Sequence, residues 1–299
     1  MIFCILISYN SFFVGCDYVS DKSKLTGDDY RLFYNTPVWH LAKAVRSENL
    51  SEIKRICKEA NIDVNYQESI YGQTLLILTI KNHHYNSCKT LLELGADPNR
   101  QNSYDGTSAM VEAAGIFNHN GDNTQFLKLL LSHGGNPNDE EKGVRREGNS
   151  TRWTPLLKAC CDIKQFRAYV SPINKVKLLV ETGADVNHKN EFGFFPLKEA
   201  FIFENYDVVL YLLEKGANYN EVLFDRSIYG KGGKKAYIAD ELRSKLLPLD
   251  SEEYKQKMAI VDFLKEKGID YRKVPIPDYI TKSVKEEYPS NWKEYLDKY

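Results

Sequence analysis

A five-residue stop, Gly183-Ala184-Asp185-Val186-Asn187, follows the apolar run from Val176 to Glu181, and the combination recurs along the chain. Gly95-Ala96-Asp97-Pro98-Asn99, Gly134-Gly135-Asn136-Pro137-Asn138 and Gly216-Ala217-Asn218-Tyr219-Asn220 are copies, each preceded by a leucine-rich stretch. Two weaker copies turn at Asn61 and Gly268. Each reads as a short amphipathic helix ended by a residue that tolerates a left-handed backbone. The stops are 34, 39, 49, 33 and 52 residues apart, so two intervals are a bare unit and three carry insertions. A unit this small cannot bury its own apolar face. It must stack on its neighbours, and the chain is a repeat protein.

A start signal precedes most of the stops. Gly72-Gln73-Thr74-Leu75-Leu76, Asp105-Gly106-Thr107-Ser108-Ala109, Trp153-Thr154-Pro155-Leu156-Leu157 and Gly193-Phe194-Phe195-Pro196-Leu197 are its versions. Glycine makes the turn, a hydroxyl caps the helix and proline suits the first helical position. Turn, helix, helix and glycine stop together resemble the ankyrin repeat, over roughly Leu41 to Asp270. The histidine that follows Thr-Pro-Leu in that family is replaced by Ile77, Val111, Leu157 and Lys198. Because it ties loops together in the family, the resemblance implies less regular loops here.

The expected fold is therefore an all-α ankyrin-repeat solenoid of about six helix-turn-helix repeats, with β-turn fingers and helical caps. Repeats are expected at 40–69, 70–103, 104–151, 152–190, 191–226 and 227–274. Residues 17–39 read as a tether and N-terminal cap, and 275–299 as a C-terminal cap with a short amphipathic piece from Trp292 to Leu296. Leu76, Ile80, Cys88, Leu91 and Leu92 are expected in the core. Within the sixth repeat, Tyr229 to Lys235 is glycine-rich and basic. Its glycines and lysines do not match a phosphate-binding loop, and it reads as a solvated linker.

The first 16 residues differ in kind. Met1 to Ile7 is apolar, and Phe13-Val14-Gly15-Cys16 resembles a bacterial lipobox in which Cys16 would be lipidated, although the family prefers leucine where Phe13 stands and no Lys or Arg precedes the run. Two readings are open: a signal peptide ending at Cys16, with the protein lipid-anchored on the periplasmic side of a bacterial envelope, or an apolar strand or helix packed on the first repeat of a cytoplasmic protein. No run reaches the 18 or so apolar residues of a membrane span.

Net charge is −1, from 40 basic and 41 acidic residues without like-charge blocks, so no electrostatic footprint for nucleic acid is present. Cys57, Cys88, Cys160 and Cys161 show no zinc spacing; the first three read as small apolar fillers, and Cys161 points to a different side of its helix from Cys160. His83-His84 reads as a pair of solvated turn residues. No nucleophile, base or paired carboxylates stand at a recognisable spacing, so no catalytic residue, metal or cofactor is assigned.

Binding is the better reading. In ankyrin-like stacks the residue before the helix cap is exposed at the finger; here these are Gln73, Thr107, Trp153 and Phe194. Tyr71, Tyr104 and Phe192 are neighbours, and Arg145 and Arg146 flank them. Aromatic and arginine side chains dominate interface energetics. The expectation is a monomeric, non-catalytic scaffold whose aromatic finger residues meet a protein partner, in toxin immunity or complex assembly if the anchor is real. Equally open is that these rings pack on the adjacent finger or under the 139–151 loop. Alternatives for the function are an unanchored cytosolic adaptor and an enzyme or ligand sensor using the groove.

Overall fold

A computed structural model describes residues 21–59, 62–116, 124–144, 152–161, 171–229 and 233–299. The predicted signal segment with Cys16, the stop at Asn61, and Arg145 and Arg146 lie outside them. The fold is all-α, as expected, and divides into two compact units, Met1–Ala96 and Asp97–Tyr299.

The first unit holds two helix pairs: α1 (Trp39–Arg46) with α2 (Leu50–Glu59), and α3 (Leu75–Lys81) with α4 (Tyr85–Glu93). Thr74 caps α3 by accepting from the Ile77 amide at 3.2 Å. Leu75 to Ile80 are all buried, because α3 is enclosed on every side. Leu76, Ile80, Cys88, Leu91 and Leu92 are all in the core. Cys57 is only half-buried, at the margin of α2.

A 3-10 turn at Tyr30–Phe33 places Tyr30, Leu32 and Phe33 in the core of the first unit. The Tyr30 hydroxyl meets His84 Nδ1 at 2.9 Å and the two rings stack at 5.6 Å. His84 is therefore part of the N-terminal cap rather than a solvated turn residue, and burial lowers its pKa.

The second unit continues with α5 (Ala109–Ala114) and α6 (Gln125–Ser132), α7 (Pro155–Cys160) and α8 (Ile173–Glu181), α9 (Pro196–Ile202) and α10 (Tyr206–Glu214), and α11 (Ile238–Arg243) and α12 (Glu252–Glu266). Six-residue helices such as α5 and α7 are far below the length that is stable alone, so caps and packing hold them. Ser108 and Thr154 cap α5 and α7, and prolines sit in the first turns of α7 and α9. At the other end of α5 the buried Lys175 of α8 donates to the carbonyls of Ala114 and Ile116, at 3.0 and 3.1 Å. A cation there satisfies carbonyls that the helix leaves open.

The middle of the predicted linker in the sixth repeat, residues 230–232, lies outside the described residues, and the segments on either side of it pair as the base of a finger. Strand β1 (Phe224–Asp225) pairs antiparallel with β2 (Lys235–Ala236). A Cβ on Gly233 would lie 1.8 Å from the Arg226 carbonyl oxygen, so the glycine permits the close approach rather than loosening the segment. Beyond α12 the C-terminal cap adds α13 (Asp278–Glu287) and α14 (Trp292–Lys298), closed around Ile280, Val284, Tyr295 and Tyr299. The ammonium of Lys257 is fully buried at this cap, 3.7 Å from the Tyr299 ring centroid, and donates to the Lys245 carbonyl.

The stops explain the stacking. Gly95, Gly134, Gly183, Gly216 and Gly268 all have positive φ, between 82° and 99°. The asparagine that ends each motif reaches the next stop. Asn99 Nδ2 donates to the Gly134 carbonyl at 2.9 Å, and its Oδ1 accepts from the Asn136 amide at 2.7 Å. Asn138 makes the same two bonds to Gly183 and Asp185, and Asn187 to Gly216 and Asn218. In the first unit Asn65 donates to Gly95.

Candidate functional site

The fingers lie between each stop and the next helix start. Each is closed by a backbone bond at its base: the amides of Glu68, Asn102, Glu141, Asn190 and Leu223 donate to the carbonyls of Gln73, Thr107, Trp153, Phe194 and Ala236. Four of them have a buried acid or amide at the foot. Glu68 accepts from the amides of Ile70, Tyr71 and Gln73. Asn102 Oδ1 accepts from Tyr104, Asp105 and Gly106, and Asn190 Oδ1 from Phe192 and Phe194. Glu141 accepts from the Trp153 amide and from the Thr107 hydroxyl, joining two fingers. A buried backbone N–H needs a partner, and these side chains supply it where no strand does.

Further bonds tie neighbouring fingers in the second unit. Gln101 Nε2 donates to Asp139 and to the Glu140 carbonyl, both at 2.7 Å. Arg152 pairs with Glu191 at 2.8 Å, and Lys189 with Glu221 at 2.6 Å. The Arg152 carbonyl also accepts from Asn190 Nδ2 at 3.2 Å.

The positions before the helix caps are not uniformly exposed. Gln73 and Thr107 are buried, the first against Glu68 and the second on Glu141. Trp153 and Phe194 are half-buried and stack on each other, with centroids 5.8 Å apart and planes 28° from parallel. The Lys158 ammonium lies 5.7 Å from the Trp153 centroid, and that of Lys198 lies 5.4 Å from Phe194 and 5.9 Å from Phe224. Tyr104 and Phe192 are exposed, at 42% and 40%. Tyr71 belongs to the first unit, where its hydroxyl donates to the Leu25 carbonyl at 2.8 Å and the N-terminal cap covers part of the ring.

Residues 110–222 match the family model described as ankyrin repeats in three copies, and residues 71–103 match the single ankyrin repeat. The chain carries ankyrin repeats. A putative ankyrin repeat protein of fowlpox virus, FPV031, is 27% identical over 189 residues, which cover 62% of this chain and 48% of that protein. The human transient receptor potential cation channel subfamily A member 1 is 25% identical over 161 residues, covering 54% of this chain and 12% of the channel. The chain thus spans about half of one relative and an eighth of the other. The crystal structure of EF0377, an ankyrin repeat protein, superimposes with a TM-score of 0.49 at 24% identity, covering 78% of this chain and 99% of that one.

Ankyrin repeats are interaction modules, and the chemistry of this chain's repeats fits that use. The depression lined by Asn187, Lys189, Phe195, Leu197, Asn218 and Glu221 holds about 230 Å³, below the range of about 300–1,000 Å³ for small-molecule sites. The Lys189–Glu221 pair lies in it. Among the described residues no three His, Cys, Asp or Glu side chains are grouped to hold a metal ion. One buried acid went unnoticed in the sequence. Glu199 of α9 accepts from the Cys161 thiol at 3.2 Å, and burial raises the pKa of both. A thiol held in its protonated form is a poor nucleophile.

Proposed function

We propose that the chain is a non-catalytic scaffold that docks a protein partner on its finger side, with Trp153 and Phe194 at the centre of the contact. One observation carries this reading. Seven large apolar side chains stand exposed among the described residues, and three of them, Tyr104, Val144 and Phe192, are on fingers of the second unit. A fourth, Tyr237, immediately follows the last finger. Single exposed rings need no explanation, but recurrence at one structural position in successive repeats does. The feet bond the backbone amides of Tyr104 and Phe192, so these two rings are held in place and add little ordering cost on binding.

The test is affinity capture by the full chain beside a Trp153→Ala/Phe194→Ala variant of matched thermal stability. Retention of a partner by the native chain and its loss by the variant supports the finger site. Equal retention moves the site elsewhere.

For location, we propose lipid anchoring through Cys16 on the periplasmic side of a bacterial envelope, where the partner would be a secreted toxin or a component of an envelope complex. The apolar run from Met1 to Ile7 and the motif ending at Cys16 support it. Membrane fractionation of the native chain against Cys16→Ser is the check: recovery of both in the soluble fraction leaves the unanchored adaptor.

A further inference from the structure

Rings and cations alternate along the last three fingers. Lys158 lies over Trp153, Trp153 stacks on Phe194, Lys198 lies between Phe194 and Phe224, and the Arg226 guanidinium is 5.6 Å from the Phe224 centroid. The cations differ in what balances them. Arg226 pairs with Glu241 at 2.6 Å. Among the described residues no carboxylate stands within 4.0 Å of the Lys158 or Lys198 ammonium; their neighbours are aromatic faces and the Gly193 carbonyl at 3.4 Å, and the Glu199 carboxyl acts on Lys198 from further off. A ring's quadrupole attracts an ammonium but carries no net charge, so the positive potential stays outside the surface.

Several acids on these repeats are engaged elsewhere. Glu191 holds Arg152, Glu221 holds Lys189, Glu204 holds Lys245 and Glu241 holds Arg226. Asp225 turns into its own loop, where it accepts from the amide and hydroxyl of Ser227. Glu199 lies buried on α9, where desolvation favours its neutral form. Lys158 is also placed rather than loose. A Cβ on Gly115 would come within 2.7 Å of its Cε, so the lysine stem lies across a surface that only glycine leaves open.

We infer that this row of fingers binds an extended acidic segment of a protein partner, with carboxylates reaching Lys158 and Lys198 and an apolar or aromatic side chain between them lying against Trp153 and Phe194. The inference rests on the finger-side docking reading and adds the partner's chemistry to it. Two observations favour a peptide. Alternate side chains of an extended strand lie about 6.7 Å apart, close to the 5.8 Å between the two ring centroids. And two isolated lysines on a chain of net charge −1 do not form the continuous basic track that a nucleic-acid backbone needs.

Selection from a displayed library of random 12-residue peptides on the immobilised full chain tests this directly. The expected result is enrichment of sequences with Asp or Glu on both sides of an aromatic or large apolar residue. A fluorescein-labelled peptide of that kind should bind more weakly as salt rises. It should lose at least tenfold in affinity to a Lys158→Gln/Lys198→Gln variant whose melting temperature is unchanged. Enrichment of neutral or basic peptides, or of none, overturns the inference, as does full affinity in the double-Gln variant. The Trp153→Ala/Phe194→Ala variant separates the two readings. Peptides that need the rings but not the lysines sink only the acidic partner; peptides indifferent to both pairs sink the finger site as well. Binding of a labelled 12-nucleotide dT strand through the same lysines, with no peptide selected, would assign the row to nucleic acid instead.

Discussion

Asn99, Asn138 and Asn187 do one job three times, whereas Gln73, Thr107, Trp153 and Phe194 occupy one position and do three different things. The asparagines stand on the turn edge of the repeats. Each donates to the carbonyl of the next glycine stop and accepts from the amide two residues beyond it. On the finger edge, Gln73 and Thr107 are folded into the feet, while Trp153 and Phe194 pair with each other at the surface. Repeated chemistry marks the edge that holds the stack together. Varied chemistry on a repeated foot is what the proposed docking on the finger edge would use.

The largest challenge to this contrast is Glu141→Ala. It removes a buried acceptor from the Thr107 hydroxyl and the Trp153 amide, and an unpartnered buried donor costs about 1–3 kcal/mol. A loss of about 2–4 kcal/mol in denaturant unfolding is expected; a loss under 1 would show that the feet are not structural.

Lys257 offers a buried group that belongs to neither edge. Burial and the neighbouring Arg243 push its ammonium down to about 7 from an ordinary 10.5. Between those values the unfolded chain binds one more proton than the folded chain, so stability rises with pH, by up to about 1.4 kcal/mol per unit. Below about pH 7 both states are charged and the unfavourable contribution is constant. Lys257→Met should flatten the rise between pH 7.5 and 9.5, and parallel profiles for the two proteins would refute the burial argument.

On the turn edge, Asn99→Ala, Asn138→Ala and Asn187→Ala should each cost about 1–2 kcal/mol, for two hydrogen bonds lost. The three values should agree within about 0.5 kcal/mol, since repeats with the same bonds should respond alike. A wide spread would mean that the turn edge is as individual as the fingers. The smallest effect belongs to Trp153→Ala. Its stack with Phe194 is worth about 0.5–1.5 kcal/mol, so stability should change little while partner binding falls sharply. If stability falls as far as in Glu141→Ala, the ring is a structural one.

The turn edge was legible because its signals are local. A glycine stop and a hydroxyl three residues before the amide it caps show in any stretch of sequence, and Thr74, Ser108 and Thr154 act as that pattern requires. The finger feet were not legible. Glu68, Asn102 and Asn190 stand five or six residues before their helix caps, but Glu141 stands thirteen before Thr154, so no fixed spacing announces them. The N-terminal cap was expected, but its contact with His84 escaped for a different reason: Tyr30 and His84 are 54 residues apart. The strand pair at Phe224–Ala236 was hidden behind a glycine-rich stretch in which Gly233 serves a close backbone approach to Arg226. Trp153 and Phe194 were singled out by position and ring type, but their stacking and the lysines over them are contacts between repeats.

The feet have a consequence for how such a chain changes over generations. Glu68 and Gln73 close a loop with four residues between them, Asn102 and Thr107 likewise, and Asn190 and Phe194 one with three; Glu141 and Trp153 enclose eleven, on the same kind of foot. Doubling a loop's length adds only about 0.6 kcal/mol of closure entropy. A foot that is bonded independently of its loop is a socket. New sequence can be inserted above Glu141 without the repeats below registering its arrival, so recognition can diversify while folding stays as it was.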